Sequence, residues 1–411
     1  MLATSAVMLA LAVIAVVAGQ LVGGGRGRPV PLFTIDLDVA PERRFEEVIR
    51  HFNASIQRVF RVLNHAPVRL ALRELSAKRG PEDRELMGEI AGIATATGLP
   101  EYGIHFMQMV YELNSVMVPI VNITPPLPFL QGPLGCTGIL IRRADGVVYQ
   151  GRNLDFAHAN YLQDLVYTGI FTKGSGEVFR AQMLAAYSMP VTALKRGPNG
   201  FSWQVNTRFL DHTGGNLQLL RNLFSERRRL NGWTVRKVLE DARDYEEAVA
   251  TLSTAKLVST MYNVIGGVRK GAILARDPDG LARKLTLGDH NFQCREDYII
   301  VTNFDYYFHD VREWFDPTGG GGIGHPRRIA AQRILNASDS LTPQLLFETL
   351  SDFHVQARDT IFRAVMSVED DVWNTSLPDC ARCPSPALRP AESVAMPLRS
   401  AWPMLPGELF V

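Results

Sequence analysis

At position 136 the apolar residues of this chain change period. Before it, Phe45, Val48, Ile49, Phe52, Ile56, Val59 and Phe60 recur at spacings of three and four. That is the pattern of one helix face, and it predicts an amphipathic helix over 41–64, with more helix to about Met109. From Cys136 the runs change to "VVYQGRNLDF", "LVYTGIFT", "YNVIGGV", "GAILAR" and "YIIVTNF", rich in β-branched and aromatic residues, which reads as strands. Helical spacing returns near 217–224, 234–253, 326–335 and 342–352, and a further strand is expected at 360–367. Helices at the front and between groups of strands place the chain in the α+β class. At the change of period lies "NSVMVPIVNITPPLPFLQGPLG", whose prolines and glycines mark a boundary.

With 411 residues, 46% of them hydrophobic, the chain can bury one large core or two modest ones. Its 43 basic and 42 acidic residues nearly cancel and form no basic stripe, which argues against nucleic acid as a partner. The start, "MLATSAVMLALAVIAVVAGQ", reads as a signal peptide over 1–19, with a retained signal anchor as the alternative. Sequons at Asn53, Asn122, Asn336 and Asn374 agree with a secretory route. The organisation expected is a signal peptide, a helical region over 20–135 ending in the Pro-rich insert, a strand-rich catalytic region over 136–383, and a Pro-rich tail over 384–411.

Four cysteines do not make a disulfide framework. Cys380 and Cys383 suit a small C-terminal disulfide loop, because a zinc site lacks its second ligand pair. Cys294 leads into an apolar run and reads as a buried thiol. Cys136 has no obvious partner. It opens "CTGILIRRADGVVYQGRNLDF", two strands around an Asp-Gly turn. A two-residue type I′ turn at Asp145-Gly146 predicts that Cys136 faces Asp155, with Asn153 on the same face. Alternation then sends Arg152 to the other face, unless a bulge at Gly151 intervenes.

A thiol acts as a nucleophile once deprotonated, and a carboxylate alone beside it disfavours the thiolate. No histidine of this chain sits in a recognisable partner motif. Cleavage between Gly135 and Cys136 offers another base, since the new α-amino group, with an ordinary pKa of about 7.7 to 8.0, would lie beside its own thiol. Cys136 is thereby a candidate N-terminal nucleophile. The plain alternative is a buried strand cysteine next to a salt-bridged strand end.

From about Pro31 to Ser367 the chain resembles the acid ceramidase and N-acylethanolamine-hydrolysing acid amidase family. "PLFTIDLDVAPERRF" is similar to the family's mature start, "CTGILI" with "DGVVYQGRNLDF" to its nucleophile hairpin, and "VTNFDYY" with "HPRRIAAQRILNAS" to its later active-site segments. The resemblance implies a lysosomal or secreted enzyme with the αββα sandwich of N-terminal nucleophile hydrolases. It implies self-cleavage into two chains that stay together, and hydrolysis of fatty acyl amide lipids met at a membrane surface or on a lipid carrier. It implies no cofactor and no metal. Cys136 is then the nucleophile and cleavage residue, Arg152 and Asp155 contact the reacting centre and the new amine, Asn303 supplies an oxyanion donor, and Arg327 completes the site. Whether Arg327 or Arg328 faces the site stays open.

The chain departs from the family at several positions. Gly138 stands where the family usually has Ser, and Thr207 in "NTRF" where it carries a glutamate. The insert separates "YEL", starting at Tyr111, from Cys136, and "HPRR" replaces an acidic pair before the arginines. Apolar residues over 116–134 suggest a lip that binds membrane or acyl chain, against a plain linker. Features of the ceramidase and amidase branches are mixed, so the head group stays open. Two other readings stand beside this one: a secreted pseudoenzyme or lipid-binding glycoprotein, and a bile-salt-hydrolase-like amidase of polar amides.

Overall fold

A computed structural model of the protein describes residues 29–63, 84–117, 135–156, 159–209, 218–219, 221–223, 225, 227–289, 295–307, 311–315, 324, 326–357 and 359–378. The expected signal peptide, most of the apolar insert with Asn122, Cys294, the Cys380 and Cys383 pair and the tail lie outside these residues, as do 217, 220 and 224. No described helix is long and apolar enough to cross a membrane.

The chain enters on a strand that the sequence pattern did not announce, β1 (Leu32–Asp36), which pairs parallel with a strand far downstream. The predicted amphipathic helix follows as α1 (Glu46–Leu63), behind a short 3-10 turn at Pro41–Arg43. It buries Val48, Ile49, Phe52 and Ile56, the residues whose spacing foretold it. Helices α2 (Arg84–Thr97), α3 (Glu101–Met107) and α4 (Val110–Met117) complete the front of the chain.

Strands β2 (Gly135–Arg142) and β3 (Val148–Asp155) form the hairpin around Asp145. Then come β4 (Val166–Lys173), β5 (Gly176–Leu184), β6 (Tyr187–Lys195) and β7 (Phe201–Thr207). The helical stretch expected over 234–253 is two helices, α5 (Asn231–Asp241) and α6 (Tyr245–Thr254). The second starts afresh because the Asp244 carboxylate accepts from the Glu247 amide at 2.9 Å, an N-cap. Strands β8 (Met261–Gly267), β9 (Lys270–Asp277), β10 (Gly280–Thr286) and β11 (Tyr298–Val301) precede α7 (Arg327–Asn336) and α8 (Pro343–Ser351), and β12 (Thr360–Ser367) and β13 (Val372–Ser376) follow.

The described strands build two sheets, one of eight in the order β1-β4-β5-β6-β7-β8-β9-β10 and one of five in the order β11-β2-β3-β12-β13. The sheets face each other where β2 meets β7 and β3 meets β8. Helices α2, α5 and α6 cover the larger sheet, and α7 and α8 cover the smaller, so the layers run αββα. Strand alternation shows why β2 is apolar throughout: Ile139 and Ile141 pack into the helix layer with Leu346 and Leu350, while Leu140 packs between the sheets with Val264 and Ile273. Each such buried side chain stabilises the fold by about 1.5–3 kcal/mol. These alternating faces set the geometry of the site.

Candidate active site

The hairpin register differs by one residue from the expectation. Arg143 and Val147 close the loop, with the Gly146 amide donating to the Arg143 carbonyl at 2.8 Å, so three residues turn the chain. Gly146 takes φ of +93°, whereas Asp145 is not among the residues at positive φ. A type I′ turn needs positive φ at both positions, and a three-residue loop with a left-handed glycine forms instead. Cys136 therefore pairs with Leu154, and Gly135 pairs with Asp155. No bulge interrupts β2 and β3, and none is needed. Arg152, opposite Gly138, shares the inter-sheet face with Cys136, while Asn153 and Asp155 turn to the helix layer.

The five residues proposed for the site are brought together around the end of this hairpin. None is more than 2% exposed. On the inter-sheet side, Arg152 Nη2 lies 3.7 Å from Cys136 Sγ. Its Nη1 donates to main-chain oxygens, the Val191 and Val205 carbonyls at 2.7 and 2.8 Å. Arg152 thus presents a buried positive charge to the sulfur.

On the helix side, Arg327 opens α7 and reaches the hairpin end from behind. Its Nη1 donates to the Cys136 carbonyl at 2.8 Å, to Thr137 Oγ1 at 3.1 Å and to Asp155 Oδ2 at 3.2 Å. Its Nη2 donates to Asn303 Oδ1 at 2.8 Å. The other Asp155 oxygen accepts from Thr360 Oγ1 at 2.6 Å. Buried opposite charges compensate one another in this way only when the remaining lone pairs also find donors.

Asn303 follows β11 and joins the two sides. Its Oδ1 accepts from the Cys136 amide at 2.8 Å as well as from Arg327, and its Nδ2 donates to the Thr207 carbonyl at 2.8 Å. Two donors converging on one atom fix the orientation of the amide. In the uncut chain Asn303 therefore holds the nitrogen that cleavage would turn into an amine.

The choice between the two arginines is resolved by their partners. Arg328 turns away and grips Glu313, with Nη2 to Oε2 at 2.5 Å and Nε to Oε1 at 2.8 Å. Glu313 in turn accepts from Thr302 Oγ1 at 3.1 Å, bracing the residue before Asn303. From the other side, Arg208 pairs with Asp305 through Nε at 2.6 Å and Nη2 at 2.9 Å. Burial pushes the Asp305 carboxyl up, yet Arg208 and the Tyr262 hydroxyl overcome that and hold it below the usual carboxylate range.

Two of the departures from the family pattern acquire a physical setting. A Cβ on Gly138 would lie 2.6 Å from Gln204 Nε2 and 3.1 Å from Val264 Cγ2. Gln204 is held by Asn206 Oδ1 and by Gln150, so the missing side chain is filled by a buried amide relay between the sheets. Thr207 is buried and offers the site its main-chain oxygen, which anchors Asn303.

Tyr111 is the residue that the sequence reading missed. It lies on α4, and its hydroxyl is 3.4 Å from Cys136 Sγ and 2.9 Å from Arg152 Nη2. The only signal was the "YE" pair that served to measure the insert. Among the described residues no group of three His, Cys, Asp or Glu gathers to hold a metal ion.

The chain is similar to known proteins. Residues 28–66 match the family model described as the beta subunit of N-acylethanolamine-hydrolyzing acid amidase. Residues 136–277, beginning on Cys136 itself, match that of linear amide C-N hydrolases of the choloylglycine hydrolase family. The N-acylethanolamine-hydrolyzing acid amidase of Rattus norvegicus is 27% identical over 359 residues, covering 84% of this chain and 88% of that protein. The acid ceramidase of the same species is 25% identical over 381 residues, covering 86% and 87%. Among solved structures, a Caenorhabditis elegans N-acylethanolamine-hydrolyzing acid amidase ortholog aligns at 24% identity with a TM-score of 0.47, over 60% of this chain and 95% of that one.

The match that begins on Cys136 makes the protein an amide hydrolase acting on linear C–N bonds, built on two packed sheets. More narrowly, the chain is similar to N-acylethanolamine-hydrolyzing acid amidases and acid ceramidases, which it matches over 84% and 86% of its length.

Proposed function

We propose that the protein is a lysosomal or secreted lipid amidase that cuts itself before Cys136 and then hydrolyses fatty acyl amides, N-acylethanolamines and/or ceramides, to free fatty acid and amine. The observation that carries this reading is the grip on Cys136 from both faces of one strand. Its sulfur meets Arg152, while its nitrogen and carbonyl are held by Asn303 and Arg327.

In self-cleavage the sulfur attacks the Gly135 carbonyl carbon, the C–N bond breaks, and the thiol proton ends on the Cys136 nitrogen. Water then splits the thioester, leaving a carboxylate on Gly135 and a free amine on Cys136. In turnover that amine takes the thiol proton, the sulfur attacks the acyl carbon, and the amine hands the proton to the leaving amine. Water hydrolyses the acyl-enzyme. Asp155, Arg327 and Asn303 keep the Cys136 nitrogen in place, and Asn303 serves as oxyanion donor once its Nδ2 turns from Thr207.

The two chains would stay together because buried polar bonds cross the cut. Gln108 Oε1 accepts from the Ser188 amide at 2.9 Å, Glu112 Oε1 from the Asn231 amide at 2.8 Å, and Ser115 Oγ donates to the Thr260 carbonyl at 3.2 Å. The lipid would be met on a membrane surface or a carrier, with the apolar residues of 116–134, mostly outside the described residues, as the contacting lip.

The test is N-terminal sequencing of the active protein, with hydrolysis measured on an N-acylethanolamine, a ceramide and a polar bile-salt amide. A large chain beginning at Cys136 and a preference for the lipid amides are expected. Cys136→Ala should leave a folded, uncut and inactive chain, and residual activity within about tenfold of wild type would place the nucleophile elsewhere.

A further inference from the structure

Tyr111 lies upstream of the proposed cut, yet its hydroxyl stands 3.4 Å from the sulfur of Cys136. Its other neighbours decide what that hydroxyl can do. Arg152 Nη2, 2.9 Å away, can only donate, so one lone pair of the tyrosine oxygen is taken and its proton must point elsewhere. Two acceptors stand within reach, Cys136 Sγ and the Val205 carbonyl at 3.3 Å. A neutral thiol can give its hydrogen to Tyr111 while the tyrosine proton rests on Val205. An ionised sulfur takes that proton's hydrogen bond instead, and a rotation about the C–O bond makes the exchange.

The titratable and charged groups facing Tyr111 are Cys136 from β2, Arg152 from β3, and Tyr187 from β6. Burial, and then the sulfur's negative charge, hold the Tyr111 phenol well above its usual range, against the pull of Arg152. Burial, followed by Glu112, does the same for Tyr187. Tyr111 thus stays protonated and serves as a donor.

We propose that Tyr111 is a catalytic residue of the cysteine site: its hydroxyl, held by Arg152, swings from the Val205 carbonyl to the sulfur of Cys136 as the thiol ionises. The small chain left by cleavage is then a working part of the active site. This inference rests on Cys136 being the nucleophile, but its test reads the sulfur directly and does not depend on turnover.

The experiment follows alkylation of Cys136 by iodoacetamide across pH in the purified full-length protein, with the Cys136 peptide quantified by mass spectrometry. Tyr111→Phe keeps the ring and removes the hydroxyl, and should move the alkylation midpoint to higher pH by about one unit, the worth of one hydrogen bond to a charged sulfur. It should lower kcat about tenfold or more with little change in KM, because the bond is made to the reacting atom. Replacing Tyr111 by 3-fluorotyrosine, which keeps shape and hydroxyl but donates more strongly, should move the midpoint the other way. Midpoints that stay put in both proteins, or shift alike in both, would overturn the proposal, because a residue that only packs has no reason to answer to the acidity of its hydroxyl. Hydrolysis surviving in Cys136→Ala would instead overturn the nucleophile reading and leave the alkylation result standing.

Discussion

Arg327 donates to the carbonyl oxygen of Cys136 at 2.8 Å from the side of the strand opposite the thiol. The proposed nucleophile is thus positioned through its main chain, and the sulfur is left to Arg152 and Tyr111. Arg328, its neighbour in sequence, supports the site from a distance through Glu313 and Thr302.

The two arginines should therefore separate by variant. Arg327→Ala removes a buried guanidinium from Asp155 and should cost about 3–5 kcal/mol of stability, while lowering hydrolysis per folded molecule at least about a hundredfold. Arg328→Ala should lose comparable stability and keep far more activity per folded molecule. Thermal melts paired with active-site titration check this, and equal losses of specific activity would refute the division of roles.

Gly138→Ser restores the residue usual in the family but places its Cβ against Gln204. Overpacking of this kind costs about 1–3 kcal/mol. Gln204→Ala should relieve part of it, so the double variant should be less destabilised than the sum of the single ones, as measured by urea denaturation. Simple additivity would show that Gln204 moves aside freely.

Thr360→Val keeps the shape of the side chain and removes the hydroxyl that donates to Asp155 Oδ1 at 2.6 Å. Loss of a hydrogen bond to a buried charge should cost about 1.5–3 kcal/mol. Conversion to two chains should slow, followed by gel mobility after synthesis. An unchanged rate would remove Asp155 from the cleavage step.

The pH response of stability has a local source in Glu89, buried on α2 between Arg44 and Arg236 at 3.0 Å each. Burial raises its carboxyl above the usual 4.5 despite both guanidiniums. The folded protein then binds the proton more tightly than the unfolded chain, so the stabilisation from protonated Glu89 is complete below pH 4.5 and is lost as pH rises through the raised value. Glu89→Gln cannot titrate. The wild-type Tm minus the variant's should be more positive at acid pH than at neutral pH, and the opposite slope would mean that Arg44 and Arg236 outweigh the burial.

Local periodicity settled much of this molecule before any tertiary contact was considered. The spacing of Val48, Ile49, Phe52 and Ile56 specified α1, and the apolar runs after Cys136 specified the strands, because each pattern reflects a face buried over a few neighbouring residues. A lone cysteine opening a hairpin, in the company of Arg152 and Asp155, marked the place of the candidate site. The register did not follow from the sequence, since Asp-Gly serves both a two-residue and a three-residue loop, and the choice moves Arg152 from one face of the sheet to the other. Only the tertiary structure decided that Arg327 rather than Arg328 meets Cys136, that Gln204 fills the space left by Gly138, and that Tyr111 stands at the sulfur. Each of these is a contact between residues far apart in the chain, fixed by how the two sheets and their helices stack, and no spacing within a single segment carries it.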